Sequence, residues 1–321
     1  FCIMKRIILS IIYAMICFAP LHADNEPDFY FEGLGYNIIS KNDLTCEIGK
    51  SSYGGEVITR PTVEYRGKTF TVLGVGAGSF HLGRCTQATI GNGLTYVGSD
   101  AFSICSNLRK VTLTPSIIDL GSNSFGYNEK LEEVVVEDGD EELIFQKTMV
   151  NFSPFENTSI KKLYVGRNHN KDVFLGSCKQ VTDLELGDKV TKFELSEFPS
   201  LRRLIIGKNL DFLPYMDTGD YLTSITVKAE TPQNIGGFTK RTYLNATLFV
   251  PKGTKELYEK AAGWSEFWDI REYVPTNITN NRIDKSRVVK EYSLEGIERK
   301  GYSKAVRIVR KSNGSTLKIL K

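Results

Sequence analysis

Three histidines are all that this 321-residue chain contains, and none stands where histidine chemistry needs it. His22 directly follows a leading apolar stretch, and His81 and His169 are neither part of an H-E-x-x-H motif nor near a second histidine at ligand spacing. There is no G-x-S-x-G, no P-loop and no C-x-x-C. The close glycines of GLGYNIIS and GVGAG lack the helix that completes a dinucleotide fingerprint, so they read as turns. These absences leave no enzyme and no cofactor to expect. Cysteine is also scarce. Cys2 and Cys17 fall in or before the leading apolar run, and Cys46, Cys85, Cys105 and Cys178 are too sparse for a disulfide scaffold. The net charge of +3 is too small to indicate nucleic acid. The run Ile7–Leu21 is shorter than the roughly 20 residues of a spanning helix.

That run does have a use. Lys5 and Arg6 precede it and Ala23 follows it, the order of a cleavable secretory signal, with Met4 as the start. Cys17 follows Ile16 rather than a small residue, which disfavours a lipid anchor there. The expected chain is therefore exported, with no spanning segment once residues 1–23 are removed. Charge is uneven beyond that point. Residues 284–321 carry 11 Lys and Arg against 4 Asp and Glu, whereas residues 24–283 carry 28 against 34, so the tail is a different kind of segment from the body. The acidic run Glu137-Asp138-Gly139-Asp140-Glu141-Glu142 has ligands suited to Ca²⁺ but no full loop signature, and a solvated insertion is the plainer reading.

The main signal is a repeat. L-x-x-L-x-L spacing occurs at Cys85-Ala88-Ile90, Leu108-Val111-Leu113, Leu131-Val134-Val136 and Ile160-Leu163-Val165. It continues at Val181-Leu184-Leu186, Leu201-Leu204-Ile206, Leu222-Ile225-Val227 and, degraded, at Asn245-Leu248-Val250. First positions are 23, 23, 29, 21, 20, 21 and 23 residues apart, the signature of a leucine-rich-repeat solenoid. One repeat cannot bury its own apolar row, so coils stack, and the x-L-x-L part becomes a strand of a parallel sheet. Leu184, mid-array, should be harder to lose than Leu248 in the degraded coil. Phe102 and Phe125 should fill the turn of each narrow coil. Small residues three places before the first position (Cys105, Asn128, Asn157 and Cys178) should hydrogen-bond neighbouring backbone. Cys105 and Cys178 stand three coils apart, too far for a disulfide.

The phrases GSDAFSICSNLRKVTL and GSNSFGYNEKLEEVVV resemble the BspA-like leucine-rich-repeat surface proteins of Bacteroidetes and other host-associated microbes. The resemblance spans about residues 30–275, with VEYRGKTFTVLGVGAGSF at the front and LFVPKGTKELYEKAAGW at the back. It implies adhesion to host proteins or other cells rather than catalysis. Departures follow Glu137, where one coil is lengthened, and run from Lys161 to Pro214, where no Ala-Phe corner occurs; those coils should be irregular.

The expected fold is α/β to mainly β: a solenoid of about eight coils between caps. Residues 24–80 give a β cap and first turn, 81–251 the solenoid, 252–273 a helical and aromatic cap, 274–290 a linker and 291–321 a small β segment. In the rear cap Thr254 is a candidate N-cap, with Glu256 in the first turn and Gly263 as the stop. Trp264, Phe267, Trp268 and Ile270 read either as a lid over the last coil or as a carbohydrate platform using Trp264 and Trp268. In the tail, Ala305–Arg310 and Thr316–Leu320 alternate around Asn313-Gly314, a hairpin signal. Tyr292–Gly296 and the terminal Lys318–Lys321 resemble C-terminal sorting domains of type IX secretion; a plain β segment is the alternative.

Two columns of the sheet should point away from the core. Gln87, Lys110, Glu133, Lys162, Asp183, Arg203, Ser224 and Thr247 alternate in charge and suit a register-keeping ladder. Thr89, Thr112, Val135, Tyr164, Glu185, Ile205, Thr226 and Phe249 form the other. Its Val135, Tyr164, Glu185, Ile205 and Phe249 are the candidate binding site for a protein or other macromolecule.

Overall fold

Leucine-type residues two apart are buried together only when an extended chain turns one side inward, and the spaced segments fold in this way. The computed structural model describes residues 26–91, 93–145, 153–170, 179–193, 198–216 and 221–274, with the backbone of three strands at 288–292, 307–311 and 316–319. The leader, Cys17, Cys178, residues 275–287 and the Asn313-Gly314 turn lie outside the described residues. The chain divides into two compact units, Phe1–Val274 and Pro275–Lys321.

The first unit begins with a hairpin of β1 (Phe29–Phe31) and β2 (Leu34–Ser40), followed by β3 (Thr45–Ile48) and β4 (Gly54–Ile58). A second hairpin joins β5 (Thr62–Tyr65) to β6 (Lys68–Val75); Arg66 and Gly67 between them have φ of 49° and 71°, the paired positive values of a tight hairpin turn. The chain then alternates between two sheets through β7 (Arg84–Ile90), β8 (Tyr96–Val97), β9 (Lys110–Leu113), β10 (Asp119–Leu120), β11 (Glu133–Val136) and β12 (Ile144–Phe145). Beyond these lie β13 (Lys162–Arg167), β14 (Asp183–Lys189), β15 (Arg203–Ile206), β16 (Phe212–Leu213), β17 (Ser224–Val227) and β18 (Asn234–Ile235). Helix α1 (Lys240–Asn245), β19 (Thr247–Pro251), α2 (Lys255–Tyr258) and β20 (Asp269–Tyr273) complete the unit.

The front sheet has ten strands in the order β20-β19-β17-β15-β14-β13-β11-β9-β7-β4. All eight expected strands are present, in the expected register and parallel, from Ala88↔Val111 to Ile225↔Leu248. Strands β4 and β20 extend the sheet at either end. Leu248 is consequently as enclosed as Leu184, because Ile270 of β20 covers it. The second sheet runs β1-β2-β3-β6-β8-β10-β12, with β5 on β6, so the front cap continues the back of the solenoid.

Between the sheets the chain turns a corner. Phe80, Phe102, Phe125 and Phe155 are buried there and stack with ring centroids 4.6, 5.3 and 5.3 Å apart. Gly98 and Gly121 lead into it: a Cβ on either would lie 2.6 or 2.4 Å from the backbone nitrogen of the coil before, so only glycine lets coils approach this closely. Corner N–H groups donate to the next coil, as in Phe80 to Ala101 (2.7 Å) and Phe102 to Ser124 (2.7 Å). Backbone just before each front strand donates to the previous coil instead, as in Arg109 to Thr86 (2.9 Å) and Glu132 to Arg109 (3.0 Å). Three places after each corner phenylalanine stands the expected small residue. Cys105 donates to Phe80 O at 3.1 Å, and Asn128 to Phe102 O and Phe125 O at 2.9 and 2.8 Å. In the fourth coil the role falls to Thr158, which donates to Phe155 O at 2.9 Å, and not to Asn157. That coil is one residue shorter between bracket and strand, which leaves Asn157 exposed at φ 50°.

After β12 the back changes. The second sheet stops, His169 lies between Phe145 and Phe193, and β16 pairs with β18 in a separate two-stranded sheet. At the rear, Thr239 caps α1 by accepting from Thr242 N, a helix the repeat pattern had hidden. Thr254 precedes α2 but does not cap it; its hydroxyl donates to Pro251 O at 2.7 Å. In the second unit β21 (Val288–Tyr292), β22 (Arg307–Lys311) and β23 (Thr316–Ile319) form an antiparallel sheet, with Arg310 opposite Thr316.

Candidate functional site

Extended backbone sends alternate side chains to opposite faces, so burying the leucine-type row obliges the residues between to face outward. Register then fixes their neighbours. Gln87, Lys110, Glu133, Lys162, Asp183, Arg203, Ser224 and Thr247 stand side by side across eight strands. Lys110 pairs with Glu133, and Arg203 with Asp183 at 2.7 Å. Lys162, between two carboxylates, forms no ion pair among the described residues. One residue earlier, Lys161 pairs with Glu132 at 2.6 Å and holds that carboxyl below its ordinary range.

The second outward column places Val135, Tyr164, Glu185 and Ile205 directly alongside one another, with Phe249 two strands on, beyond Thr226. All five are half-buried rather than open. Tyr164 donates its hydroxyl to Asp138 Oδ1 at 2.6 Å. Glu185 pairs with Lys228 at 2.8 Å, a contact that reaches across two strands. The acidic run thus acts as a brace. Asp138 orients Tyr164, Asp140 pairs with Lys189 at 2.7 Å, and Gly139 lies against the buried Arg167, whose guanidinium donates to Thr114 O and Pro115 O. Its carboxylates point to different partners, and no cluster able to hold a metal occurs among the described residues. The strand pattern does not reveal Asp138 or Lys228, because neither lies on a strand.

The tryptophan pair does not form a platform. Trp264 is 0% exposed and donates Nε1–H to Gln233 O at 2.6 Å among Phe238, Tyr258 and Phe267, so it belongs to the lid. Trp268 is 83% exposed and has no second tryptophan beside it. A cavity of 170 Å³ at the front cap, lined by Phe31, Tyr36, Tyr53 and Arg60 among others, is smaller than the roughly 300 Å³ at which small-molecule sites begin. No helix among the described residues is long and apolar enough to cross a membrane.

Residues 74–205 match the BspA type leucine rich repeat region in six copies. Three solved structures are similar in part. A leucine rich cell surface protein from Faecalibacterium prausnitzii shares 13% identity over 78% of this chain and 96% of its own, with a TM-score of 0.31. A leucine-rich repeat protein from Bacteroides ovatus shares 16% over 77% of this chain and 76% of its own, at 0.27. The pneumococcal vaccine antigen PcpA shares 13% over 77% of this chain and 98% of its own, at 0.32. No curated protein matches the chain.

Proposed function

We propose, from the match of residues 74–205 to the BspA type leucine rich repeat region, that the chain is a cell-surface adhesin that binds a protein partner on the outer face of its front sheet. The observation that carries this reading is the in-register row Val135, Tyr164, Glu185 and Ile205: apolar and aromatic groups held on a rigid sheet, rimmed by charge. Anchors of this kind, fixed before the partner arrives, lose little conformational freedom on binding. Tyr164 is the central one, because Asp138 already orients it. Export by the leading signal, and retention at the surface through the basic C-terminal β segment acting as a sorting signal, complete the proposal.

The test is a pair of substitutions against surface extracts of host matrix and microbial cells. Tyr164→Ala with Ile205→Ala should weaken binding by about 1–4 kcal/mol, the range of interface anchors, while the protein still melts cooperatively. Lys162→Glu should instead lower the melting temperature slightly, by setting like charges beside Glu133 and Asp183, and leave binding nearly unchanged. A double variant that binds as tightly as the parent would remove this face from consideration. Deleting residues 291–321 should deplete the protein from the cell surface without altering binding by the purified chain.

A further inference from the structure

Two departures from the repeat meet at one point in the core. The first apolar position of each coil is a branched residue in Leu108, Leu131, Ile160, Val181, Leu201 and Leu222, but in the first coil it is Cys85. The position three after the corner phenylalanine is glycine in that same coil (Gly83) and Cys105 in the next. Cys85 and Cys105 are both fully buried, and their side chains are hydrogen-bonded to each other across adjacent coils. A Cβ on Gly83 would stand 3.4 Å from Cys105 Sγ, so the residue two places before Cys85 lies directly beside the Cys105 sulfur.

We propose that Cys85 and Cys105 are a disulfide-forming pair, which staples the first coil of the solenoid to the second when the chain folds in an oxidising compartment. Only the meeting with an oxidant rests on the export reading; the pairing rests on the geometry. In the partly folded chain the thiolate of either cysteine attacks one sulfur of a disulfide oxidant, either glutathione disulfide or the active-site disulfide of a thiol oxidoreductase, and expels one thiolate. The other cysteine then loses its proton and attacks the protein sulfur of the mixed disulfide, releasing the second thiol. Two protein thiols become one disulfide and the oxidant becomes two thiols. Linking Cys105 removes its hydrogen bond to Phe80 O, yet that carbonyl still accepts from Gly83 N at 2.8 Å, so no buried group is orphaned. Cys46, buried in the front cap away from both, is an internal control.

The experiment is to unfold and reduce the protein, refold it with glutathione disulfide, alkylate remaining thiols under denaturing conditions and map the peptides. The expected result is a Cys85–Cys105 link, two hydrogens lighter than the reduced peptides, with Cys46 alkylated. The linked form should melt at a higher temperature than the same protein in reductant, and Cys105→Ser, which keeps a donor toward Phe80 O, should abolish that difference. Recovery of Cys85 and Cys105 as alkylated thiols, or linked elsewhere, overturns the proposal. Because refolding in the test tube requires no export, that failure would leave the surface-adhesin reading untouched.

Discussion

The coils from Gly78 to Glu156 and those that follow share a front and differ behind. In both, the leucine-type row is buried and the strands stay in register. In the first set, four stacked phenylalanines and side-chain brackets repeat coil by coil. Behind the second, Phe145, His169 and Phe193 meet in tilted and edge-on contacts at back positions, and a two-stranded sheet stands where a long one had run. The front needs identical strands because its hydrogen bonds couple every coil to the next. The back needs only to fill volume, and many side-chain sets do that. An outward face can therefore be kept in geometry while the rest of the repeat drifts.

The comparison is broken most directly through the rings behind the front sheet. Phe102→Ala, in the middle of the ordered stack, should cost about 3–5 kcal/mol, and Phe193→Ala should cost less because its surroundings can collapse. Equal losses in urea melts would show the rear coils to be packed as tightly as the forward ones. Next in size, Leu184→Ala and Leu248→Ala should each cost about 2–5 kcal/mol and agree closely, since the front sheet encloses both; a much smaller loss at Leu248 would mean that β20 does not cover β19. Asn128→Ala removes two bonds to buried carbonyls and should cost about 1–3 kcal/mol, whereas Thr158→Ala, with one bond, should cost about half as much. The last effect concerns pH. Burial alone raises the Asp119 carboxyl from 3.8 to about 6. The folded chain thus holds that proton more tightly than the unfolded one, so the contribution of this group to stability is greatest in acid and falls as pH rises through 6. Asp119→Asn should melt higher than the parent at pH 7.5 and equally at pH 4.

Where a residue type has one way to be buried, the sequence was readable. Spacing at Val111-Leu113 or Leu163-Val165 admits a single inward face, and register followed from it. The flanking strands escaped notice because each turns only one residue fully inward, Val57 in Gly54–Ile58 and Ile270 in Asp269–Tyr273, too few to show a pattern. Helix α1 was obscured by taking Asn245 as a strand marker when it ends the helix and is exposed. The outward columns were legible as neighbours, but not their half-buried state, since that depends on Asp138 and Lys228 folding in from loops. Trp264 and Trp268 stand four residues apart in a non-repeating segment, where no period distinguishes inside from outside.

The two opposed sets of backbone bonds bear on how long such an array can grow. Each peptide unit carries a dipole of about 3.5 D, and in an α-helix these add to a charge separation that must be accommodated at both ends. Here corner amides point up the stack, as from Phe80 to Ala101, while those ahead of the front strands point down it, as from Arg109 to Thr86. Their dipoles oppose along the solenoid axis, so each added coil of this kind contributes little field to the termini. The caps consequently have no electrostatic task that scales with coil number. They need only cover apolar surface, as Trp264 does at one end and the ring stack of Phe29, Tyr36 and Tyr65 does at the other.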